Sequence, residues 1–218
     1  MKIRDIAAVA ASVLAAGKAQ AAPMQWTKAS GGNGHYYEVV TSRQLLWQDA
    51  FNAASGSSFD GLQGYLVTIT SLAEVEFLKS LITPFGFNGA NGNRGFHVGG
   101  SDAAIEGNWQ WVAGPDFGIS FFFLPRQYPW APIQPDNFQG MGGQDWAIMA
   151  ISPDGEQGQG LNMGDFFMDD VNSGSETAWY VVEYGNTRNF RPQVPEPATL
   201  SLLLMGLAGT AVLRRRKK

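Results

Sequence analysis

The sequence predicts an α+β domain held together without disulfides. Three observations point there. In the first half of the 218 residues, two stretches carry apolar side chains at helical spacing behind capping residues. Short runs rich in β-branched and aromatic residues alternate with and follow them, set between glycine clusters at 31–34, 61–64, 88–95 and 140–143. No cysteine is present, so stability has to come from a packed core, which about 160 residues can supply.

The elements follow in chain order. HYYEVV at 35–40 reads as a strand from its aromatic and β-branched content. SRQLLWQDAFNAAS at 42–55 reads as a helix with Leu46, Ala50, Ala53 and Ala54 on one face and Thr41 or Ser42 as its cap. YLVTIT at 65–70 is a second strand. A second helix opens at Ser71, where Ser71 and Glu74 have the spacing of a capping box and Val75, Leu78 and Ile82 continue at helical intervals. FHVGG at 96–100, NWQWVAG at 108–114, WAIMAI at 146–151 and AWYVVEY at 178–184 are then short strands. Between 114 and 145 runs a loop of roughly thirty residues, a length that in a compact domain is functional or disordered. Seven Trp and fourteen Phe argue against disorder.

Both ends read as addresses, which divides the chain into a signal peptide at 1–21, a domain at 22–190 and a sorting tail at 191–218. Lys2 and Arg4 precede an apolar run at 6–16, and Ala19-Gln20-Ala21 has the small-x-small pattern of a signal-peptidase site. The tail sets Pro195-Glu196-Pro197 before a hydrophobic segment at 198–213 and then five consecutive cations. As a helix that segment would reach about 24 Å, short of a bilayer core of about 30 Å. This tripartite order resembles the PEP-CTERM sorting signal of Gram-negative bacteria. The resemblance implies a transient membrane anchor, cleavage near Pro195-Glu196-Pro197 by an exosortase-type protease, and a final place at the cell surface or outside the cell. A permanent anchor is the alternative. Taking away residues 1–21 and 195–218 removes eight of the 15 Lys and Arg but two of the 19 Asp and Glu, leaving a net charge of −10. Such a surface excludes nucleic acid as a partner and offers sites to oxygen-seeking cations.

Three pieces of the domain are distinctive: Val98-Gly99-Gly100 leading into Glu106-Gly107-Asn108-Trp109-Gln110-Trp111, the triplet Gln134-Pro135-Asp136 in the long loop, and Asp169-Asp170 before the last strand. In this order they resemble the C-type lectin-like domain, over about residues 36–184. The resemblance implies paired first and last strands, two helices with short antiparallel sheets, and a long loop region at the far end. It also implies a calcium and carbohydrate site. There Gln134 and Asp136 flank a proline in cis, and Asp169 and Asp170 close the shell from the neighbouring strand region. With Gln144 these are the candidate metal ligands; Gln134, Asp136, Asp169 and Asp170 are the candidate carbohydrate-binding residues. Calcium takes six to eight oxygens at flexible geometry, which these side chains approach with a backbone carbonyl and water.

The chain departs from that pattern at several positions. Gln144 stands where calcium-binding members place Glu, Asp169 where they place Asn, Met168 where they have Trp, and His97 where the strand carries a large aromatic. The family's cysteines are missing, and Trp146, at one of those positions, would fill by bulk the place of a bridge. The residues also allow plainer readings. Asp136 and Asn137 beside Pro and Gly are ordinary turn formers. Asp169-Asp170 would equally suit a solvated strand end. Trp109 and Trp111 belong to a core, or stack on a sugar if exposed. Phe121-Phe122-Phe123 packs the loop. His35 and His97 lie far in sequence from the acidic cluster and read as structural.

Three functions are open to such a chain. The first is an exported, calcium-assisted carbohydrate-binding protein of the bacterial surface or matrix, with carbohydrate or exopolysaccharide as partner. The second keeps the fold as a structural or protein-interaction domain of the envelope without sugar binding. An enzyme is disfavoured: there is no Cys nucleophile and no G-x-S-x-G or H-E-x-x-H spacing, and nothing fixes the separation of acids such as Asp165 and Asp170.

Overall fold

The computed structural model describes residues 22–86, 95–121, 130–131, 134–138, 143–152 and 165–186. The signal segment, the hydrophobic tail, and Phe122 and Phe123 lie outside them. Among the described residues there are two α-helices and nine strands, with two helices and mixed pairing making an α+β domain.

The strands are β1 (Met24–Gln25), β2 (Tyr36–Leu46), β3 (Ser58–Phe59), β4 (Leu62–Leu66), β5 (Gly95–Ser101), β6 (Gln110–Trp111), β7 (Trp146–Ile151), β8 (Phe166–Val171) and β9 (Glu176–Gly185); the helices are α1 (Trp47–Ser55) and α2 (Leu72–Ile82). The main path runs β1-β2-β9-β5-β7-β8, with β4 also on β9, β3 on β4 and β6 on β5. The first long strand and the last pair antiparallel from Tyr36↔Tyr184 to Leu46↔Glu176. That pairing closes the domain where the chain enters and leaves it. The β5 to β9 link is a single parallel bridge at His97↔Tyr180.

Two expectations change. The first helix begins at Trp47, not at a Thr41 or Ser42 cap, and its N-terminus has no side-chain cap. Thr41, Leu45 and Leu46 pair with β9 instead, so strand pairing overrides the helical spacing of that stretch. The helix consequently buries Trp47, Ala50, Phe51 and Ala54, while Ala53 is exposed. At the second helix Ser71 does cap, its hydroxyl accepting from Glu74 N at 3.2 Å. The return half of the box is displaced by one residue: the Glu74 carboxylate accepts from Thr70 N at 2.8 Å and Thr70 Oγ1 at 3.0 Å.

One core lies between the sheet and α2 and includes Trp109, Trp111 and Phe121; a second surrounds α1. Both tryptophans of the NWQW run are thus interior, on the same side of an extended segment as a two-residue period requires. The paired glycines of β5 are needed for this packing. A Cβ on Gly99 would sit 2.8 Å from Ala113 Cβ and Leu66 O, and one on Gly100 would sit 2.8 Å from the Phe121 ring. Trp146 stacks on Trp47 with ring centroids 4.3 Å apart, and Trp47 Nε1 donates to Val98 O at 2.8 Å. Aromatic stacking therefore joins β7 to α1 in a domain that has no cysteine to do so.

Candidate functional site

The described parts of the long loop, residues 130–131 and 134–138, lie along β8 and are stitched to it at successive points. Ala131 N donates to Met168 O at 3.1 Å, and Trp130 bridges Met168 in parallel. The Gln134–Pro135 bond is cis. Beyond it, Asp136 N donates to Asp170 Oδ1 at 3.1 Å and Asn137 N donates to Asp170 Oδ2 at 2.8 Å. The Asp170 side chain is fully buried, so both carboxylate oxygens are spent on two consecutive loop amides. Burial pushes the Asp170 carboxyl up from its ordinary range, and the amides of Asn137 and Asp136 pull it back.

Gln144 completes the clamp from the far end of the loop. Its Oε1 accepts from Phe138 N at 2.6 Å, and its Nε2 donates to the Asp170 backbone carbonyl at 2.6 Å. Gln144 N donates to Asn137 Oδ1 at 2.9 Å, and Gln134 Oε1 accepts from Asp136 N at 2.9 Å. Asn137 adopts the left-handed region at φ 44°, which an Asn tolerates better than most residues.

Four of the five candidate residues, Gln134, Asp136, Gln144 and Asp170, therefore come together in one hydrogen-bonded unit. Asp169 lies on the other face of β8. Along β8 successive side chains alternate: Phe166 and Met168 enter the main core with Asp170 on their side, while Phe167 and Val171 pack in a small cluster on the other face, where Asp169 belongs. Period-two alternation was available in FFMDDV and would have separated the two acids.

As arranged here, this donor set is committed to the loop's own amides and not to a cation shell. Each side-chain oxygen of Gln134, Gln144 and Asp170 already accepts a loop amide, and the Gln144 NH2 covers the Asp170 carbonyl that would complete a shell. Asp136 is the one carboxylate of the unit turned to solvent. Six to eight converging oxygens are not assembled, and among the described residues no group of three or more His, Asp or Glu could hold a metal. What the arrangement does is fix a loop. The rim so displayed has the Asp136 carboxylate and, two residues on, the Phe138 ring, 57% exposed.

Two neighbouring features shape the same end of the domain. Asp102, pushed up to about 6 mainly by burial, accepts from Gly107 N at 2.8 Å and closes the turn after β5, while Asp102 N donates to Asp145 O at the loop's end. His97 is a core residue whose Nε2 bonds Leu45 O at 2.7 Å; burial lowers it to about 4, so the ring is neutral and structural.

Comparison with known proteins agrees with this architecture. The chain is similar in structure to the C-type lectin CEL-I from Cucumaria echinata, with a TM-score of 0.50 and 18% identity over 71% of this chain and 92% of that one. It is similar to the EPNH mutant of CEL-I at a TM-score of 0.51, 17% identity and the same coverage. In sequence it is 40% identical over 100 residues to halomucin of Haloquadratum walsbyi, a match that takes in 43% of this chain and 1% of that protein. Residues 193–217 match the PEP-CTERM protein-sorting motif. The protein thus has a C-type lectin-like fold and carries a PEP-CTERM sorting signal that marks it for export.

Proposed function

We propose that the protein is an exported carbohydrate-binding module of the bacterial surface or extracellular matrix, and that it presents its ligand-binding rim without a resident calcium ion. The observation that supports this reading is the clamped segment 134–138. A buried anchor at Asp170 holds it, so the exposed Asp136 carboxylate and the Phe138 ring are displayed from a preorganised backbone. A carboxylate accepts sugar hydroxyl protons and an aromatic face covers the C–H side of a pyranose. Preorganisation lowers the ordering cost of binding. One such shallow site binds a monosaccharide at about millimolar strength, near −4 kcal/mol, so adhesion requires many copies on a matrix.

Export and release complete the proposal: an exosortase-type protease cuts near Pro195-Glu196-Pro197, and the hydrophobic segment at 198–213 is a transient membrane anchor. Among the described residues no helix is long and apolar enough to cross a membrane. Mass spectrometry of the secreted protein is expected to give a C-terminus near Val194; a secreted form retaining Arg214 to Lys218 contradicts processing.

The sugar reading is tested by a glycan array and calorimetric titration of the full chain, in EDTA and in millimolar calcium. Binding in both, lost in Asp136→Ala with Phe138→Ala, supports it. Binding only with calcium overturns the metal-free part. No binding in either favours the second reading, a structural or protein-interaction domain, for which the self-contained clamp is the supporting observation.

A further inference from the structure

Apart from the loop clamp, four segments meet in a buried polar knot that the proposed binding function does not use. Glu74 in the first turn of α2 and Glu183 on β9 are both buried, at 0% and 1% exposure. The hydroxyl of Tyr37 on β2 lies between them, 2.5 Å from Glu74 Oε1 and 3.2 Å from Glu183 Oε1. Asn33 Nδ2 donates to Tyr37 Oη at 2.6 Å and lies 3.3 Å from Glu183 Oε1. His35 Nδ1 sits 2.6 Å from Glu183 Oε1 and Tyr65 Oη 3.3 Å from that same nitrogen. Thr68 N donates to Glu183 Oε2 at 3.2 Å, and Thr68 Oγ1, 3.5 Å from that oxygen, donates to Asp116 Oδ2 at 2.7 Å. Thr70 serves Glu74 Oε2 through its amide and hydroxyl.

The hydrogens do not go round. Tyr37 has one hydroxyl proton and two carboxylates to give it to, and the shorter contact takes it to Glu74. Glu74, Glu183 and Asp116 are the acids that face this knot, and His35, with its side chain 22% exposed, is the cation available to it among the described residues. A proton added to Glu74 Oε1 changes this. Glu74 then donates to Tyr37 Oη, the Tyr37 hydrogen turns to Glu183, and every polar atom between the two acids is satisfied. One proton thus removes a buried charge and adds a hydrogen bond.

We infer that this knot is a proton-operated latch: uptake of a proton by Glu74, with His35 protonated against Glu183, fastens segment 22–35 and the end of β9 to the domain, and proton loss above neutrality loosens them. The location gives the latch a consequence. A Cβ on Gly185 would lie 2.7 Å from the His35 ring and 2.5 Å from Tyr65 Oη, so the chain leaves the domain directly against the knot, ahead of the sorting motif that begins at 193. The direction agrees with the environment of each group. Burial, and then the charge of Glu183, push Glu74 up to about 7, and the Glu183 hydrogen bond raises His35 above its ordinary 6.5. Both groups hold a proton more tightly folded than unfolded, so both stabilise below neutrality and lose that contribution as pH rises through their folded values.

The test is hydrogen exchange on the full chain, since the Thr68 and Thr70 amides donate to the two glutamates and report the knot directly. With intrinsic rates corrected, protection of these amides and of segment 22–35 is expected to fall about tenfold or more between about pH 5.5 and pH 8, one pK unit being a factor of ten. Glu74→Gln, which carries the extra hydrogens permanently, is expected to reduce that fall to the part His35 contributes. Carboxyl carbon NMR of the unmodified chain supplies a check independent of the variant's folding: Glu74 should titrate near neutrality. Equal protection at both pH values, an undiminished fall in Glu74→Gln, or a Glu74 titration in the ordinary carboxylate range would each overturn the latch.

Discussion

The loop clamp at Asp170 and the knot at Glu74 and Glu183 both bury carboxylates, and they satisfy them in different currencies. Asp170 is met by backbone amides of residues 136 and 137, donors that neither titrate nor turn away. Glu183 is met mainly by side chains of Asn33, His35, Tyr37 and Thr68, whose protons can be shared, moved or lost. Backbone donors make a rigid support, as a binding rim requires. Side-chain donors would make a responsive one, here beside Gly185 near the end of the last strand. Burial of an acid is therefore not one structural device but two, told apart by what hydrogen-bonds to it.

The sharpest way to break the contrast is Asp170→Ala, which leaves the Asn137 amide without its acceptor and the Asp136 amide with Gln134 Oε1 alone. Each lost acceptor for a buried donor costs about 1–3 kcal/mol, so thermal unfolding should fall by roughly 5–15 °C and the loop should become the first site of proteolysis. Next in size is Tyr37→Phe, which removes the hydroxyl between the glutamates at a cost of about 1–3 kcal/mol. Its effect should change with pH across the window of the Glu74 titration; urea unfolding at several pH values checks this. Gln144→Glu replaces the donor to the Asp170 carbonyl by a second acid. It should lose about 1–2 kcal/mol in EDTA and recover part of it in millimolar calcium, which the unmodified chain should not.

The smallest effect concerns the pH curve of the whole domain. Glu74 and Asp102, raised to about 7 and about 6, and His35, also raised, favour the folded state as pH falls. His97, lowered to about 4, opposes them: its contribution is present above 6.5 and is lost as pH falls through its folded value. Above about pH 6 the raised groups outweigh His97, so stability measured by calorimetry should decline as pH rises from about 6 to 8; a stability that rises over that interval would contradict these environments.

Much of the frame was legible in the sequence, since it depends on local chemistry. The Ser71 cap, the strand at 146–151, the cis bond before Pro135 and the packing role of Trp146 all follow from neighbours in sequence or from motif resemblance. What escaped depended on distant partners. Residues 41–46 carry a helical pattern and become strand because β9, more than 130 residues later, pairs with them. β8 is strand through its pairing with β7, and its alternation parts Asp169 from Asp170. The loop's acceptors are visible in the sequence, and the loop's own amides that they accept from are not. The knot brings Tyr37 to Glu74 and Glu183 across separations of 37 and 146 residues, which no spacing rule reaches.

The measurement that tests the central claim most directly is thermal unfolding of the full chain in millimolar calcium against EDTA, read alongside proteolysis of the loop. If the amides on Asp170 hold the loop, the two midpoints should agree within about 1 °C and the loop should be equally protected. A calcium-dependent rise of about 5 °C or more, with loop protection appearing only when the ion is present, would show that a cation holds what we assign to hydrogen bonds.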